Sequence, residues 1–442
     1  MKKSPQCRVQ NRLTSVVAVQ AFHSVPRPPG ETILIDVKAL ANARFRLLLL
    51  SQTASVMGEQ MLAVAITVSV LGAGGDASTL GLVLAVRGVA LVIFLPIGGV
   101  WADRLPRRRI MLAAYGVLAV VVAALALAPG LPIWTAAVVI FIAGVTEAFI
   151  RPAFNAILRG VLAEDERMSG RSLIAVSIRT GIMVGPALCV ALVAATGTRA
   201  AYGITVAVFA VTAVVFWRIR EPRWTPAPHA SFADDIRTGV AEARRRPWVL
   251  AILIFSSVSL MFVLAPVQVL LPVVSTTRFG SPAVYGLALT CYGVGGLIGG
   301  LITMAWRPRA VGVLAMVSMA LYAAAPLSLL LATSPLPILA AYVIAGAGVE
   351  IYAIHWEVAL QRAIPDQLIG RMTSFAWLCG FGLLPFGQAL TGPLSELTNT
   401  ATVLAVAAGI VLIVPPALLL VRGMPHLHEP GLKDEPVSED AG

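Results

Sequence analysis

The sequence has little charge for its length. Of its 442 residues, 12% are Asp, Glu, Lys or Arg and 58% are hydrophobic, and the mean hydropathy is +0.86. A soluble domain carries about 25% charged residues, which water solvates at its surface. The deficit argues against an ordinary soluble protein and indicates that lipid covers most of the molecular surface.

Residues that carry enzyme or metal chemistry are few and scattered. The five histidines are spread along the chain, and only His355 lies inside an apolar run. The four cysteines lack metal-ligand and disulfide-like spacing, and none of the four lysines follows a glycine, as a Walker A loop requires. We therefore expect no cofactor, no metal and no enzyme activity, and no ATPase lies within this chain.

Apolar runs of spanning length alternate with short polar breaks from Arg44 onward. Each run is close to the roughly 20 residues that a helix needs to cross a ~30 Å hydrocarbon core. The pattern predicts an all-α integral membrane protein with twelve transmembrane helices. Predicted spans 1 to 12 are 47–71, 79–101, 110–129, 133–154, 172–196, 199–217, 248–274, 282–305, 310–332, 336–358, 373–395 and 400–421.

The basic residues lie almost entirely in alternate breaks between these spans. If the N-terminus is cytoplasmic, 28 of the 33 Lys and Arg residues lie on the cytoplasmic side, two on the other side and three within spans. This distribution follows the positive-inside rule and predicts a bacterial plasma-membrane protein with both termini in the cytoplasm. Anionic lipid then accounts for the net charge of +11, so no nucleic-acid partner is expected.

The longest break divides the spans six and six. Within it, Phe232, Ile236 and Val240 recur at helical spacing between charged residues, which predicts an amphipathic helix along the inner surface. The predicted organisation is a flexible cytoplasmic tail (1–43), an N-terminal six-helix bundle (44–218), a cytoplasmic linker containing this helix (219–247), a C-terminal six-helix bundle (248–421) and a cytoplasmic tail (422–442).

An internal repeat supports two equivalent halves. Gly88 in span 2 matches Gly293 in span 8 at an offset of 205 residues, and at the same offset Trp101 matches Trp306. Two six-helix bundles repeated in parallel are the plan of transporters that bind their substrate between the bundles. The sequence therefore predicts a secondary transporter working by alternating access.

A charged motif follows span 2. The segment reads Gly99-x-x-x-Asp103-Arg104-x-x-Arg107-Arg108. A small residue allows close helix packing, an acid at a helix end can meet a partner helix, and the arginines hold the loop at the inner surface. This segment resembles motif A of the major facilitator superfamily, with Pro106 where that family usually has glycine. The resemblance runs from about Phe45 to Val421 and implies a latch that closes one face.

Span 5 contains a glycine and proline motif. Gly181-x-x-x-Gly185-Pro186 resembles motif C of drug exporters in the same superfamily, although Cys189-Val190 replaces the usual glycine pair. The glycines allow tight packing and the proline weakens the helix, so a purely structural kink is the alternative. Gly58-Glu59 in span 1 is similar to the Gly-Asp of macrolide and siderophore exporters. Both features favour export.

Ionisable residues within the spans are functional candidates, because each costs about 2.5–3.5 kcal/mol at a helix centre on insertion scales. Glu59 and Arg87 lie on neighbouring predicted helices, and we expect them to pair. Glu147 and Arg151 share a face at i, i+4, and Arg179 lies at a similar depth. We expect these last three to form one buried cluster.

Three carboxylates are candidates for proton coupling: Glu59, Glu147 and Glu350. A carboxylate that exchanges partners with an arginine can take up a proton on one side and release it on the other. The alternative is that Arg87, Arg151 and Arg179 are buried partners that only hold helices together.

Several aromatic side chains could line a substrate cavity, although contact with lipid or with the core is the commoner role. They are Phe141, Phe149, Trp356, Trp377 and Phe381. We expect proton-driven export of a small amphipathic molecule, a drug or secondary metabolite, by a monomer. The alternative is a proton-linked uptake carrier for a polar nutrient.

Overall fold

The computed structural model describes residues 38–127, 132–163, 166–219, 232–306, 310–425 and 427. Helices are the regular structure in this part of the chain. They are α1 (Ala43–Gly72), α2 (Ala77–Arg104), α3 (Arg107–Leu127), α4 (Ile133–Val161), α5 (Arg167–Thr196), α6 (Thr198–Arg218), α7 (Phe232–Arg245), α8 (Pro247–Phe279), α9 (Ala283–Ala305), α10 (Val311–Leu331), α11 (Pro335–Ala363), α12 (Asp366–Gly382), α13 (Leu384–Leu397) and α14 (Thr400–Leu418).

Local sequence sets several helix ends. The Asn42 side chain accepts hydrogen bonds from the backbone N–H groups of Arg44 and Phe45, so α1 starts there. Asn399 caps α14 in the same way through the N–H of Thr402. These contacts satisfy N–H groups that have no partner within the helix. The C-terminal end of α8 is set by Gly280, which follows Phe279 and adopts the left-handed conformation that glycine tolerates.

Eleven helices in the described part are long and apolar enough to cross a membrane. They correspond to eleven of the twelve predicted spans, and the prediction of an all-helical membrane protein is confirmed. Predicted span 11 is divided, because α12 ends at Gly382 and α13 begins at Leu384. Pro385 lacks an N–H and so cannot continue the hydrogen-bond ladder of α12 across this point. Together α12 and α13 make the remaining crossing.

α8 also has an irregular stretch, next to this division. Residues Leu260–Leu264 form a π-helical turn, which Pro266 follows. Gly387 of α13 lies directly against the Met261 carbonyl oxygen. The two interrupted helices therefore pack against each other at their interruptions.

The two halves use equivalent close contacts. In the first half, Gly144 of α4 lies against the Arg87 carbonyl oxygen of α2. In the second half, Gly346 of α11 lies against the Tyr292 carbonyl oxygen of α9. Arg87 and Tyr292 are separated by the same 205 residues as the repeated glycines. Small residues at these crossings let the backbones approach closely, as is common in membrane bundles.

An even number of crossings places Lys38 and Met424 on one side of the membrane, which we call the terminal face; the other is the opposite face. A separate hydrophobic cluster at the terminal face contains Trp248, Met372 and Met424. The Gly312 N–H donates to the Pro425 carbonyl at 2.9 Å, which fixes the C-terminal segment to the second half.

The linker helix α7 packs on the same cluster. Gly239 lies against the Phe375 side chain of α12. Ile236 and Val240, which the sequence assigns to the apolar face, are half-buried, whereas the Phe232 side chain lies outside the described residues. The described apolar face of α7 thus contacts protein of the second half.

We predict that Gly346→Val destabilises the fold by about 1–3 kcal/mol, since the added carbons would meet the Tyr292 carbonyl and force α9 and α11 apart. Thermal unfolding in detergent measures this loss. Gly300→Val on α9 is the control, because the position of its Cβ has no neighbour within 4 Å. Equal melting temperatures for the two variants would contradict the close crossing.

Candidate functional site between the two halves

A carboxylate within the membrane binds two arginines. The Nε and Nη2 atoms of Arg87 on α2 donate to Oε2 of Glu147 on α4 at 3.2 and 3.0 Å. Nη2 of Arg151, one turn along α4, donates to Oε1 of the same carboxylate. The Glu147 side chain is 9% exposed. Two positive charges on one carboxylate leave this triad with an excess positive charge.

Glu59 of α1 lies beside the triad. Its carboxyl group lines a narrow cavity together with Arg87 and Glu147, and Phe209 and Leu118 form apolar walls. Arg87 and Arg151 attract the Glu59 carboxylate, and Glu147 repels it. Within the described residues, Glu59 makes no hydrogen bond. The expected Glu59–Arg87 pair is therefore wrong as a hydrogen-bonded pair, because the Arg87 fork is taken by Glu147.

Arg179 is not part of this cluster, which corrects the second expectation. Its Nη1 donates to Oε2 of Glu350 on α11, so this ion pair joins the two halves. The reason is rotational. Gly181 packs on Val56 of α1, and two residues of helix turn by about 200°, so Arg179 projects away from α1 toward the second half. The two-residue spacing between Arg179 and Gly181 in the sequence is therefore the signal that indicates the direction of Arg179.

A second contact crosses between the halves. The guanidinium carbon of Arg151 lies 5.6 Å from the centre of the Trp377 ring on α12. Trp377 stacks on Phe381, with ring centres 4.7 Å apart. Both rings come from the set of aromatic candidates read from the sequence, and they lie on one face of α12 at i, i+4.

The description of the arginines as buried partners holds best for Arg87, whose side chain is 27% exposed. The Arg151 and Arg179 side chains are 45% and 50% exposed. Exposure of a guanidinium to lipid at this depth would be costly, and both arginines contact the second half, so we infer that these surfaces face a cleft between the halves.

Contacts between the halves are close toward the opposite face. Gly81 and Gly88 of α2 lie against Gln388 and Pro385 of α13, and Gly286 of α9 lies against Val190 of α5. The structure thus shows the halves joined on this side of the ion pair.

A polar contact at the start of α2 adds to this closure. The Ser78 hydroxyl donates to the Glu396 carboxylate of α13. The neighbouring Asp76 caps α2, and the Thr79 backbone N–H that it accepts lowers the pKa of this carboxyl. Asp76 therefore stays charged and holds the helix start, including Ser78, in place.

The charged motif lies at the terminal-face end of α2. Arg108 donates from Nε to the Phe216 carbonyl at 3.1 Å, and from Nη2 to the Trp217 carbonyl, so it caps the end of α6. Arg104 is exposed, and no described residue has an atom within 4 Å of a Cβ on Gly99. The Arg107 side chain is not without a partner, whereas the Asp103 side chain lies outside the described residues. The latch role remains untested.

The glycine motif joins α1 to the second half. Gly181 and Gly185 pack on Met57 of α1, two residues before Glu59, which helps line the cavity. The Pro186 carbonyl faces Gly286 of α9. The motif therefore places α5 tightly between the helix that carries Glu59 and the second half.

One polar pair in the second half was missed by the sequence analysis. Nε2 of Gln388 on α13 donates to Oε1 of Gln268 on α8 at 2.8 Å. Gln388 is buried, and its own Oε1 has no hydrogen-bond partner among the described residues. Amides inside otherwise apolar predicted spans were the available signal.

Comparison with known proteins identifies the family. A family model for the Major Facilitator Superfamily matches residues 48–385. The chain belongs to the major facilitator superfamily. It is therefore a membrane transporter rather than an enzyme, as the sequence predicted.

Curated relatives in this superfamily include exporters. The chain is 26% identical over 260 residues to the macrolide efflux protein A of Streptococcus pyogenes, covering 57% of this chain and 64%, just under two thirds, of that relative. It is 25% identical over 388 residues to the multidrug efflux pump Tap of Mycolicibacterium fortuitum, covering 83% and 92%.

Solved structures show the same fold. The nucleoside transporter NupG (D323A mutant) superposes with a TM-score of 0.67 at 15% identity, covering 85% of this chain and 98% of that one. A POT family transporter in complex with 5-aminolevulinic acid gives 0.69 at 13% identity, covering 87% and 96%. The predicted superfamily fold is confirmed.

We predict that Glu350→Arg destabilises the closed arrangement, because two positive side chains then face each other across the halves. The double variant Arg179→Glu/Glu350→Arg should recover at least half of the loss, with a coupling free energy of about 0.5–3 kcal/mol. Thermal unfolding of the four proteins measures the cycle. Glu357→Arg, at an exposed position on α11, is the matched control; absence of any recovery in the double variant argues against the pair.

Proposed function

We propose that this transporter exports a small amphipathic compound, a drug or secondary metabolite, by alternating access coupled to protons. The observation that carries the proposal is Glu59, a carboxyl group inside the first half with no hydrogen-bond partner among the described residues. An ion triad that can respond to its charge lies next to it. A carboxyl group held only by electrostatics can change protonation without breaking a hydrogen bond.

The triad links this proton to the second half. When Glu59 is charged, its carboxylate competes with Glu147 for Arg87 and Arg151. When Glu59 is neutral, Glu147 alone balances the two arginines. Because Arg151 also contacts Trp377 across the cleft, the protonation of Glu59 and Glu147 can bias the contact between the halves.

Glu350 is the third coupling candidate. Its bond to Arg179 joins the halves, so a proton on Glu350 would remove the charge that holds Arg179. Loss of this pair weakens the closed arrangement. The same carboxylate could therefore combine proton binding with opening.

We assign the motifs conformational roles. Gly99, Asp103, Arg104, Arg107 and Arg108 form the latch at the terminal face, where Arg108 already ties α3 to α6. In the second motif, Gly181, Gly185 and Pro186 form the tight contact through which α5 follows α1. A protonation change at Glu59 on α1 can thus reach the contact of α5 with α9.

Relatives support the direction of transport. Macrolide efflux protein A and the multidrug efflux pump Tap are named as exporters, and both align with this chain. The glycine and proline motif favours the same direction. The second candidate is proton-linked uptake of a polar nutrient, which the exposed guanidinium groups in the cleft would suit.

The basic loops support an orientation. With the terminal face in the cytoplasm, both termini are inside and the lipid bilayer surrounds a monomer in a bacterial cell membrane. The cleft that contains Arg151 would then be reached from the cytoplasm, because the halves are joined toward the opposite face. An exporter loads its substrate from that side.

We predict that Glu59→Gln abolishes proton-driven export but keeps substrate exchange. The amide matches the shape of the acid and cannot release a proton. In proteoliposomes, a compound that the wild-type protein exports should move at least 10-fold more slowly under an imposed pH gradient. Its exchange across the membrane without a gradient should change by less than about 2-fold.

Glu166→Gln at the terminal face serves as the control and should behave as wild type. Normal gradient-driven export by Glu59→Gln would remove Glu59 from the mechanism. Wild-type transport at the same rate with and without the pH gradient would contradict proton coupling. Gradient-driven movement of the compound from the opposite face to the terminal face would favour uptake.

We predict that cysteine labelling places the terminal face in the cytoplasm. The single cysteines are introduced into a variant that lacks the four native cysteines. Arg199→Cys at the opposite face is exposed and should react with a membrane-impermeant maleimide in intact cells. Lys38→Cys at the terminal face should react only after the cells are opened. The reverse pattern would place the terminal face outside and defeat the proposed loading side.

A further inference from the structure

The cleft between the halves contains an aromatic platform beside a guanidinium group. Trp377 and Phe381 of α12 stack at 4.7 Å and are 48% and 38% exposed. Arg151 of α4 lies 5.6 Å from the centre of the Trp377 ring. The platform comes from the second half and the guanidinium from the first. A molecule bound beside them can touch both.

The charge that this cleft presents is positive. The carboxylates of Glu147 and Glu350 are each 9% exposed and are covered by arginines. Arg151 and Arg179 are 45% and 50% exposed, and each uses one nitrogen of its guanidinium in its bond to Glu147 or Glu350, respectively. A guanidinium has five N–H donors, so both retain donors without a partner among the described residues.

These groups lie at a common depth. Arg151 lies ten residues from the end of α4 at the terminal face, and Trp377 lies eleven residues from the start of α12. Arg179 lies twelve residues from the start of α5. At about 1.5 Å per residue, all three are roughly 15–18 Å from that face. They form one layer near the middle of the membrane.

We infer that Arg151, Trp377 and Phe381 form the substrate site and that it takes a flat apolar ring system carrying an oxygen acceptor, best a carboxylate. The rings of the ligand stack on the platform. Its acceptor binds the unused N–H groups of Arg151, so the bond from Arg151 to Glu147 is kept. This inference rests on the proposed function, since it names the class of compound exported.

The same geometry selects against cations. An ammonium group in this layer would face the exposed guanidinium groups of Arg151 and Arg179, whose paired carboxylates are largely buried. To reach Glu147 it would have to displace Arg151 from a largely buried ion pair, which is costly because one charge is then left unpaired. Charge-assisted bonds from a guanidinium to a carboxylate are about twice as strong as neutral ones, so a carboxylate ranks above an ester.

Three forms of one fluorophore test this selection. A boron-dipyrromethene dye is used with a carboxylate, a methyl ester or a tertiary amine at the same position. Binding to the purified full-length protein is measured by fluorescence anisotropy, and transport is measured in proteoliposomes. We expect the carboxylate to bind at least 10-fold more tightly than the amine, with the ester between them.

Variants assign the contacts. Arg151→Gln should weaken binding of the carboxylate at least 10-fold and of the ester less than about 3-fold. Trp377→Ala should weaken binding of the carboxylate and of the ester about equally, because ring stacking does not depend on the charge of the substituent. Arg199→Gln at the opposite face should leave all three affinities unchanged. Melting temperatures near wild type show that each variant is folded, and Arg151→Lys provides a second variant that keeps the charge.

The two proposals fail in different ways. Tightest binding by the amine, or unchanged affinities in both Arg151 variants and in Trp377→Ala, would overturn the assigned site and class, even if proton-driven export of another form occurs. Tight binding of the carboxylate without transport under a pH gradient would support the site and defeat the proposed coupling.

Discussion

The carboxylate of Glu147 and its two arginines are the interaction on which the rest of the site depends. Lipid cannot solvate an isolated charge, so each ionised group in a span must find a partner within the protein. Arg87 satisfies one oxygen from α2 and Arg151 the other from α4, which leaves Glu59 near charge but without a hydrogen bond to any residue that the structure describes. In the proposed function, this unequal sharing is what makes Glu59 the group that responds to a proton. It also leaves part of Arg151 turned toward the second half.

The two ionic centres differ in what they connect. The Glu147 triad is contained in the first half and contacts the second through the ring of Trp377, whereas Arg179 and Glu350 join the halves directly. Under the proposed function, a change of charge in the triad would alter affinity in the cleft, whereas a change of charge in the direct pair would weaken one of the contacts that join the halves. Binding and opening are assigned to neighbouring groups rather than to one.

Much of the fold could be predicted, because lipid imposes a simple rule on composition. Apolar runs of about 20 residues, and arginines in alternate breaks, define the crossings without tertiary information. The division between α12 and α13 was missed, since hydropathy averages over Pro385 and a break of one residue. The ionic partners were predicted only in part. The depth of a residue follows from its position along the helix. The partner of Arg179, however, depends on the rotation of α5 about its axis. The glycines that fix this rotation, Gly181 and Gly185, were interpreted in the sequence only as a family motif.

The contacts that join the halves toward the opposite face are made by glycines against backbone and small side chains. Surfaces of this kind have few interlocking side chains, so they can part with little rotamer rearrangement. These surfaces also tolerate no added volume, because a single methyl group at Gly81 or Gly286 would push the two halves apart. Every glycine codon becomes an alanine codon by one base change. The fit between the two halves is therefore within reach of single-nucleotide variation, at positions that lie outside the layer of charged residues.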